Sequence, residues 1–391
     1  SLRNGITNEL PMLSVSGYRG VEIKEYDDEN RRRSAEDLEN YLVVKPGQLA
    51  VNTMWLNFRG LGVSHHHGTV SPAYKVYDIL KGDRTYLHHL LRSDAYVDEY
   101  TKLARGIIPN SLQISTSDFE NIQALTPPLA EQATIAAFLD HETARIDELV
   151  REQELLLEDL AEKRRATITQ AVTKGLDPSV PMKDSGVEWI GEIPEGWELR
   201  TVREIFDNPQ QINWLENETN VLSLSYGNVI QRDVSSNDGL LPASFSTYQL
   251  IKRGDIIIRP TDLQNDQRSL RTGLATQDGI ITSAYIRLRP KSFSSAYCHQ
   301  LLNAADRNKV FYKLGGGLRQ SLKFDVLRHL KLPFAPRQEQ ADIAAFLEQE
   351  TARIDALNAE VQANIQDLKL LRSALITAAT TGKIDLRNWK P

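Results

Sequence analysis

A long internal repeat constrains this chain more than any other feature of its sequence. Residues 131–147, EQATIAAFLDHETARID, return as residues 339–355, EQADIAAFLEQETARID, with 14 of 17 positions identical. The offset of 208 residues persists downstream, where Arg164 matches Arg372 and Asp177 matches Asp385. Two copies of one element of about 45 residues are therefore present.

Each copy predicts one long helix. Apolar residues recur at steps of three and four, proline is absent, and glycine comes only near the end. One such pattern alone could be an amphipathic helix lying on a globular core. Because two matched helices occur in one chain, we expect them to pair as a coiled coil with several polar seam positions. The predicted seam positions include Leu139, Ile146, Leu149, Leu156, Leu347, Ile354, Leu357, Val361 and Leu371.

The connection between the two helices predicts their orientation. The intervening segment leaves the C-terminal end of the first helix and enters the N-terminal end of the second, so an antiparallel pair is simplest. A helix of this length spans roughly 65 Å. We therefore predict an α+β fold, in which two mixed α/β domains are held apart by a long antiparallel two-helix coiled coil in a pseudo-twofold repeat.

The predicted boundaries follow from the repeat and from the composition of the segments between its copies. They are a first domain at 1–128, a first helix at 129–175, a linker at 176–199, a second domain at 200–332, and a second helix with a tail at 333–391. The two domains share a frame of short strand patterns, since residues 43–50 parallel residues 250–257. Their middle parts do not match, which predicts the same scaffold with different surfaces.

Charge is unevenly distributed along the chain. The total of −6, from 46 basic and 52 acidic residues, argues against binding nucleic acid by bulk electrostatics. Residues 129–199 alone carry −9, whereas residues 200–330 carry +5. The whole-chain total therefore conceals a second domain that is basic.

The cysteine count and the hydropathy indicate a compartment. One cysteine, Cys298, excludes an intramolecular disulfide and fits a reducing cytoplasm. Apolar runs such as residues 256–258 stop far short of the roughly 20 residues that a spanning helix needs. No basic and then apolar leader opens the chain. We expect a soluble, cytoplasmic protein.

Two loops at equivalent points of the domain frame are rich in side chains that pair with base edges. Residues 259–271, RPTDLQNDQRSLR, follow a strand pattern in the second domain, and residues 52–68, NTMWLNFRGLGVSHHHG, occupy the same place in the first. A solvated polar loop has a similar composition. The predicted base readers are Asn57, Arg59, His65, His66 and His67 in the first domain, and Asp262, Gln264, Asn265, Gln267, Arg268 and Arg271 in the second.

A glycine cluster at 315–317 precedes a basic and polar step, where backbone amides could approach phosphates closely. A plain turn is the alternative. The remaining predicted DNA-binding residues are Gly316, Arg319, Gln320 and Ser321 at this step, Arg105 at the corresponding place in the first domain, and Arg19 and Arg259. The three adjacent histidines do not predict a metal site, because neighbouring side chains in an extended loop cannot converge on one ion.

Catalytic signatures are missing from the sequence. It contains no phosphate-binding GxxxxGK, no glycine-rich strand-turn-helix for a methyl donor, and no grouping typical of a Ser/His/Asp triad. A recognition scaffold is therefore favoured over an enzyme. Two alternatives stay open: a stand-alone DNA methyltransferase or nuclease with a divergent site, and a coiled-coil tether whose domains bind proteins.

With these features, the chain resembles the DNA specificity subunit of Type I restriction-modification systems over essentially its full length. The resemblance is carried by the duplicated helices, by the segment WIGEIPEGW at 189–197, and by the glycine-rich step before a proline and a Glu-Gln pair. It implies that each domain recognises one half of a bipartite double-stranded DNA site, and that the helices set the gap. The counterpart of residues 189–203 is missing before Ser1, which suggests a truncated start.

The same resemblance implies partners. Two modification (methyltransferase) subunits would dock around the helices, and restriction (endonuclease and translocase) subunits would complete the complex. S-adenosylmethionine, Mg²⁺ and ATP would belong to those subunits, with no cofactor or catalytic residue in this chain. Polar positions identical in both helices are the predicted partner contacts, although they could also be pairs within each helix: Glu131, Gln132, Glu142, Arg145, Asp147, Glu339, Gln340, Glu350, Arg353 and Asp355.

Overall fold

The computed structural model describes residues 3, 10–25, 39–106, 113–232, 242, 244–263, 270–315 and 321–390. The chain divides into two compact units. The first unit comprises residues 1–155 and 361–391, and the second comprises residues 156–360. No helix in the described ranges is long and apolar enough to cross a membrane.

Short strands and helices build the first unit. Its strands are β1 (Leu13–Ser16), β2 (Gly20–Ile23), β3 (Leu42–Val44), β4 (Leu49–Val51), β5 (Leu61–Val63), β6 (Gly68–Val70) and β7 (Lys75–Tyr77). A 3-10 turn covers Leu56–Phe58, and the short helices are α1 (Arg84–Leu91), α2 (Asp94–Leu103) and α3 (Thr116–Glu120). The first long helix, α4 (Leu129–Lys174), begins in this unit.

The second unit repeats this plan with additional strands. Its strands are β8 (Met182–Asp184), β9 (Glu192–Pro194), β10 (Glu198–Thr201), β11 (Phe206–Asp207), β12 (Leu222–Ser225), β13 (Asn228–Gln231), β14 (Gln249–Ile251), β15 (Ile256–Ile258), β16 (Thr272–Leu274), β17 (Gly279–Ile281), β18 (Ile286–Pro290) and β19 (Lys331–Phe334). Its helices are α5 (Val202–Ile205), α6 (Ser295–Arg307), α7 (Val310–Leu314) and α8 (Phe324–Leu327), followed by the second long helix, α9 (Arg337–Thr380).

Strand pairing is antiparallel and follows the same order in both units. In the first unit β4 lies between β5 and β7, β3 pairs with β6, and β1 pairs with β2. In the second unit β15 lies between β16 and β18, β14 pairs with β17, and β12 pairs with β13. The predicted internal repeat and the α+β fold class are therefore confirmed.

Each unit has a core in which strands, a short helix and both long helices meet. In the first, Leu49 and Val63 share a cluster with Tyr86 of α1, Leu139 of α4 and Ala379 of α9. The second core has the corresponding composition, with Ile256, Tyr297, Val172 and Leu347. The N-terminal part of α4 thus packs with the C-terminal part of α9 in the first unit, and the opposite ends pack in the second. Within each unit the helices are antiparallel, as predicted.

The predicted helix seam is partly wrong. Leu139, Ile146, Leu347, Ile354 and Val361 are buried as expected. Four predicted seam leucines are 39–55% exposed, namely Leu149, Leu156, Leu357 and Leu371, whereas Thr143, Val150 and Ile365 are buried instead. A straight helix drifts relative to a seven-residue repeat, and its ends must also face the strands of each unit, so the buried face departs from one strict heptad.

Candidate nucleic-acid interface

The loop between β4 and β5 presents an aromatic surface. Its ends are joined by a hydrogen bond of 2.7 Å from Asn52 N to Gly60 O. Trp55 and Phe58 are 50% and 43% exposed, and their ring centroids lie 5.3 Å apart. Asn57 is half-buried in the 3-10 turn between these rings. The loop thus combines stacking surfaces with an amide, which are the groups that contact unpaired or exposed bases.

Arg59 closes this loop but is tied to the unit rather than extended toward solvent. Its φ of 57° lies in the left-handed region. Its guanidinium donates to Arg92 O at 3.1 Å, to Ser373 Oγ at 2.7 Å, and to the carboxylate of Asp94. The predicted base reader therefore connects its loop to the N-terminus of α2 and to α9.

The three histidines lie between β5 and β6. His65 and His67 are exposed and His66 is half-buried. Ser64 shapes their turn, because its hydroxyl accepts from His66 N at 3.0 Å and donates to His66 O at 2.8 Å. Within the described ranges, no group of three or more His, Cys, Asp or Glu side chains is placed to hold a metal ion.

A cavity of about 460 Å³ opens beside these histidines in the first unit. Two of its lining residues, Arg19 and His65, are among those predicted from the sequence. The other lining residues that bear charge or can titrate were not predicted, namely Arg84, His88, His89, Asp140 and Arg372. A signal existed for Arg372 alone, because the repeat pairs it with Arg164.

Arg105 lies away from this cavity on a short bridge. It pairs with Gln113 through two backbone hydrogen bonds of 3.0 Å, and its side chain is 85% exposed. The guanidinium Nη2 lies 3.7 Å from Asp118 Oδ2. The side chain of Arg105 is therefore accessible, as a DNA contact would require.

Arg271 organises the equivalent loop of the second unit. Its side chain is fully buried and donates to the carbonyl oxygens of Thr261 and Asp262, the latter at 2.8 Å, while the guanidinium carbon lies 5.1 Å from the Tyr312 ring centroid. Its backbone N also donates to Asp306. Burial raises the pKa of the Asp306 carboxyl group. Arg271 thus joins the two described ends of the loop.

The other predicted residues of this unit are only partly described. Arg259 is half-buried, Asp262 is exposed with a φ of 64°, and Ser321 is half-buried. Leu322 N donates to Pro260 O at 2.9 Å, which brings the end of the glycine-rich step beside the start of the polar loop. The remaining predicted residues lie outside the described ranges: Gln264, Asn265, Gln267, Arg268, Gly316, Arg319 and Gln320.

The matched polar residues of the long helices fall into two classes. Five make contacts within their own unit. Asp147 pairs with Arg372, and Asp355 pairs with Arg164. The side chain of Gln132 donates to Pro127 O, that of Gln340 donates to Ala335 O, and Glu339 accepts a hydrogen bond from the Trp197 indole. The other five line the helix surfaces: Glu142 and Glu350 pair with Arg145 and Arg353 three residues on, and Glu131 is exposed. Arg145 and Arg353 are 67% and 71% exposed, so they are available to another protein.

Comparison with known proteins agrees with this architecture. No protein-family model matches the chain. It is 25% identical over 290 residues to the Type I restriction enzyme MjaVIII specificity subunit of Methanocaldococcus jannaschii, which covers 69% of this chain and 64% of that relative. The chain thus spans just under two thirds of the relative's length.

One solved structure shares the fold. A chain from a study of complex assembly and conformational transition in the type I R-M system matches with a TM-score of 0.66 at 17% identity, over 88% of this chain and 83% of that one. The HsdS subunit from Thermoanaerobacter tengcongensis matches with a TM-score of 0.49 at 18% identity, over 96% and 91%. The duplicated helices, the repeated strand frame and the TM-score of 0.66 show that the chain has the fold of that type I R-M chain, and its sequence is similar to a Type I restriction enzyme specificity subunit.

Proposed function

We propose that this chain is the DNA-recognition subunit of a Type I restriction-modification complex and carries no catalytic site of its own. One observation carries the proposal. The same strand frame occurs in both units, and in each a loop of different sequence connects the central strand to its neighbour, β4 to β5 and β15 to β16. Two scaffolds with two different loops are suited to reading two different half-sites.

The domains are assigned to the two halves of the site. We propose that residues 1–128 and 200–332 are the target-recognition domains, residues 129–175 and 333–391 the spacer helices, and residues 176–199 their linker. Asn57, His65, His66 and His67 would read one half-site, and Asp262, Gln264, Asn265, Gln267 and Arg268 the other. Arg105, Arg259, Gly316, Arg319, Gln320 and Ser321 would position the DNA backbone.

Two predicted base readers receive a different role. The guanidinium groups of Arg59 and Arg271 bind carbonyl oxygens and side chains of their own units. We propose that both shape a reading loop instead of contacting a base. Replacing either would then disturb one half-site through the loop and would also lower stability.

The partners follow from the family. We propose that modification subunits dock on the exposed helix residues Glu131, Arg145 and Arg353, and that restriction subunits join this complex in the cytoplasm. S-adenosylmethionine, Mg²⁺ and ATP would be bound by those subunits. The five residues that hold the units together would act only indirectly in docking.

The decisive experiment is to sequence methylated bases in a host that carries this chain with its modification subunits. We expect one bipartite methylated site. Asn57→Ala should relax one half of that site and Arg268→Ala the other, so each variant is the control for the other. Loss of both halves in either variant would contradict the division into two readers. Methylation or cleavage by the purified chain alone would favour the stand-alone enzyme, and an absence of sequence-dependent DNA affinity would favour the protein tether.

A further inference from the structure

The cavity of the first unit is bounded by positively charged groups from separate parts of the chain. Arg19 lies in the turn between β1 and β2, Arg84 begins α1, and Arg372 lies on α9. One carboxylate, Asp140, lines the same cavity, and its Oδ1 lies 3.0 Å from Nε2 of His89. The cavity therefore has an excess of positive charge.

Two of the three arginines keep their donors available. Arg372 pairs with Asp147. By contrast, the side chains of Arg19 and Arg84 make no hydrogen bond or ion pair in the described part of the chain, and both residues are exposed. Arg84 lies over Gly47, where a Cβ atom would come within 2.9 Å of Nη1. Glycine at position 47 thus leaves room for the guanidinium at the cavity wall.

His88 adds a neutral donor to the cavity. Its Nδ1 accepts from Val63 N at 3.1 Å, so the neutral ring carries its proton on Nε2. Burial lowers the pKa of His88 well below its ordinary value, with Arg92 contributing further, and the ring is uncharged at neutral pH. The Nε2–H group has no acceptor among the described residues, although the ring lines the cavity.

The ring of His88 is held firmly in place. A Cβ atom at Gly20 would lie 2.6 Å from its Cε1 atom, and one at Gly62 would lie 3.3 Å from the same atom. The backbone of β2 and β5 therefore packs directly against the imidazole. A fixed N–H donor beside two unpaired guanidinium groups matches an anion that has several oxygen acceptors.

We propose that this cavity binds a phosphate group through Arg19, Arg84 and His88, and that a backbone phosphate of duplex DNA supplies it. The source of the phosphate rests on the proposed function, whereas the anion site rests on the geometry alone. A phosphate contact carries no sequence information, so the cavity would position the first unit on the duplex while the neighbouring loop reads the bases.

The test uses the full chain with Arg84→Ala. This side chain is exposed and has no described partner to lose, so we expect the variant to fold like the wild type. Arg151→Ala is the matched control, because it removes the same charge from an exposed site of the first unit that does not line the cavity. Binding of inorganic phosphate is measured by calorimetry, and binding of two duplexes of unrelated sequence is measured by fluorescence anisotropy across a salt series.

We expect Arg84→Ala to weaken phosphate binding and to lower the salt slope of DNA affinity by about 0.9 on both duplexes. Near 0.1 M salt this corresponds to a roughly eightfold loss of DNA affinity. Arg151→Ala should leave both measurements at the wild-type value. A lowered salt slope without a change in phosphate binding also supports the site. A duplex holds its phosphate groups in place, whereas a free phosphate ion is not held there by any other contact.

The remaining outcomes separate this proposal from the proposed function. Loss of phosphate binding with an unchanged salt slope would keep the anion site but overturn DNA as its source. Phosphate binding by a wild-type chain that has no affinity for DNA would count against the proposed function and leave the site standing. Equal phosphate affinity and equal salt slope in Arg84→Ala and the wild type would overturn the proposal.

Discussion

Asp147 and Arg372 form a two-point ion pair between the long helices of the first unit. Arg372 Nε and Nη2 lie 2.9 Å and 3.3 Å from the two carboxylate oxygens, and the Tyr18 hydroxyl donates to Oδ1 at 2.6 Å. In the second unit, Arg164 pairs with Asp355. Asp147 and Asp355 are equivalent positions of the repeat, and so are Arg164 and Arg372. The two units therefore use the same ion pair, with the aspartate on α4 in the first and on α9 in the second. Each helix thus contributes its aspartate to one unit and its arginine to the other, which sets an antiparallel register.

This ion pair should stabilise the first unit measurably. We expect a double-mutant cycle with Asp147→Ala and Arg372→Ala to give a coupling free energy of about 1–2 kcal/mol, because Arg372 is largely buried and the contact has two points. The free energy of unfolding in urea is the measurement. Glu154 and Lys369 are the control pair, since they are 4.0 Å apart and more exposed. We expect less than about 0.5 kcal/mol there. Equal coupling in both cycles would refute the structural role.

Arg271 should matter for stability as well as for recognition. Arg271→Ala leaves the carbonyl oxygens of Thr261 and Asp262 without their donor, and we expect a loss of roughly 2–4 kcal/mol in unfolding free energy. Arg271→Lys should recover only part of this, because an ammonium group cannot reach several carbonyls in one plane. Urea unfolding tests this expectation. An unchanged midpoint for Arg271→Ala would show that the loop does not depend on this residue.

Helix length should determine the gap between the two half-sites. Seven residues inserted into both long helices, after Leu155 and after Glu360, add about 10 Å of helix. At about 3.4 Å per base pair, the unspecified gap should grow by about three base pairs while both half-sites stay the same. Sequencing of methylated bases reports the gap. A gap of unchanged length would mean that the helices do not act as a spacer.

Arg145 and Arg353 should contribute to docking of the modification subunits. Both are exposed on matched helix positions, so reversing them to glutamate should lower co-purification with those subunits through charge repulsion or loss of an ion pair. Arg151→Glu is the control, because it is also an exposed arginine paired with a glutamate three residues away. If the double reversal co-purifies as well as the control, the pairs within each helix are sufficient to explain these residues.

The second unit should lose stability in mild acid through His299. Its Nε2 atom is shielded from solvent and has no described partner, and burial lowers the pKa of the ring to about 4. The unfolded chain, with an ordinary histidine pKa near 6.5, binds this proton first as the pH falls. The free energy of unfolding therefore keeps its full value with respect to His299 above about pH 6.5 and declines toward pH 4, by roughly 3 kcal/mol in all.

The measurement for His299 is the free energy of unfolding between about pH 4 and pH 7. His299→Gln should flatten this pH dependence, because glutamine does not titrate. His329→Gln is the control, since that histidine is exposed. If His299→Gln and the wild type share one pH profile, another group governs the acid sensitivity.

The two long helices, their antiparallel order and the shared frame of the two domains were predictable from the amino-acid sequence alone. These features depend on local periodicity and on near-identity between repeat copies, both of which can be read without knowing any contact. The start of each polar loop also followed from the frame, but the predicted loop at 52–68 is interrupted by β5, so the three histidines lie in a separate connection between β5 and β6. The gradual shift of the buried face along each long helix could not be predicted from periodicity, because it depends on what each end of the helix packs against.

Which polar residues are available for binding depends on the packing of the folded chain. Arg59 and Arg271 look like base readers in a polar loop, yet packing turns both toward carbonyl oxygens of their own unit. The cavity depends on the same kind of information, because Arg19, Arg84 and Arg372 are far apart in the sequence and line one cavity only in the folded first unit. The partners of a long, charged side chain are set by the neighbours that folding brings to it, and those neighbours are not encoded in its local sequence.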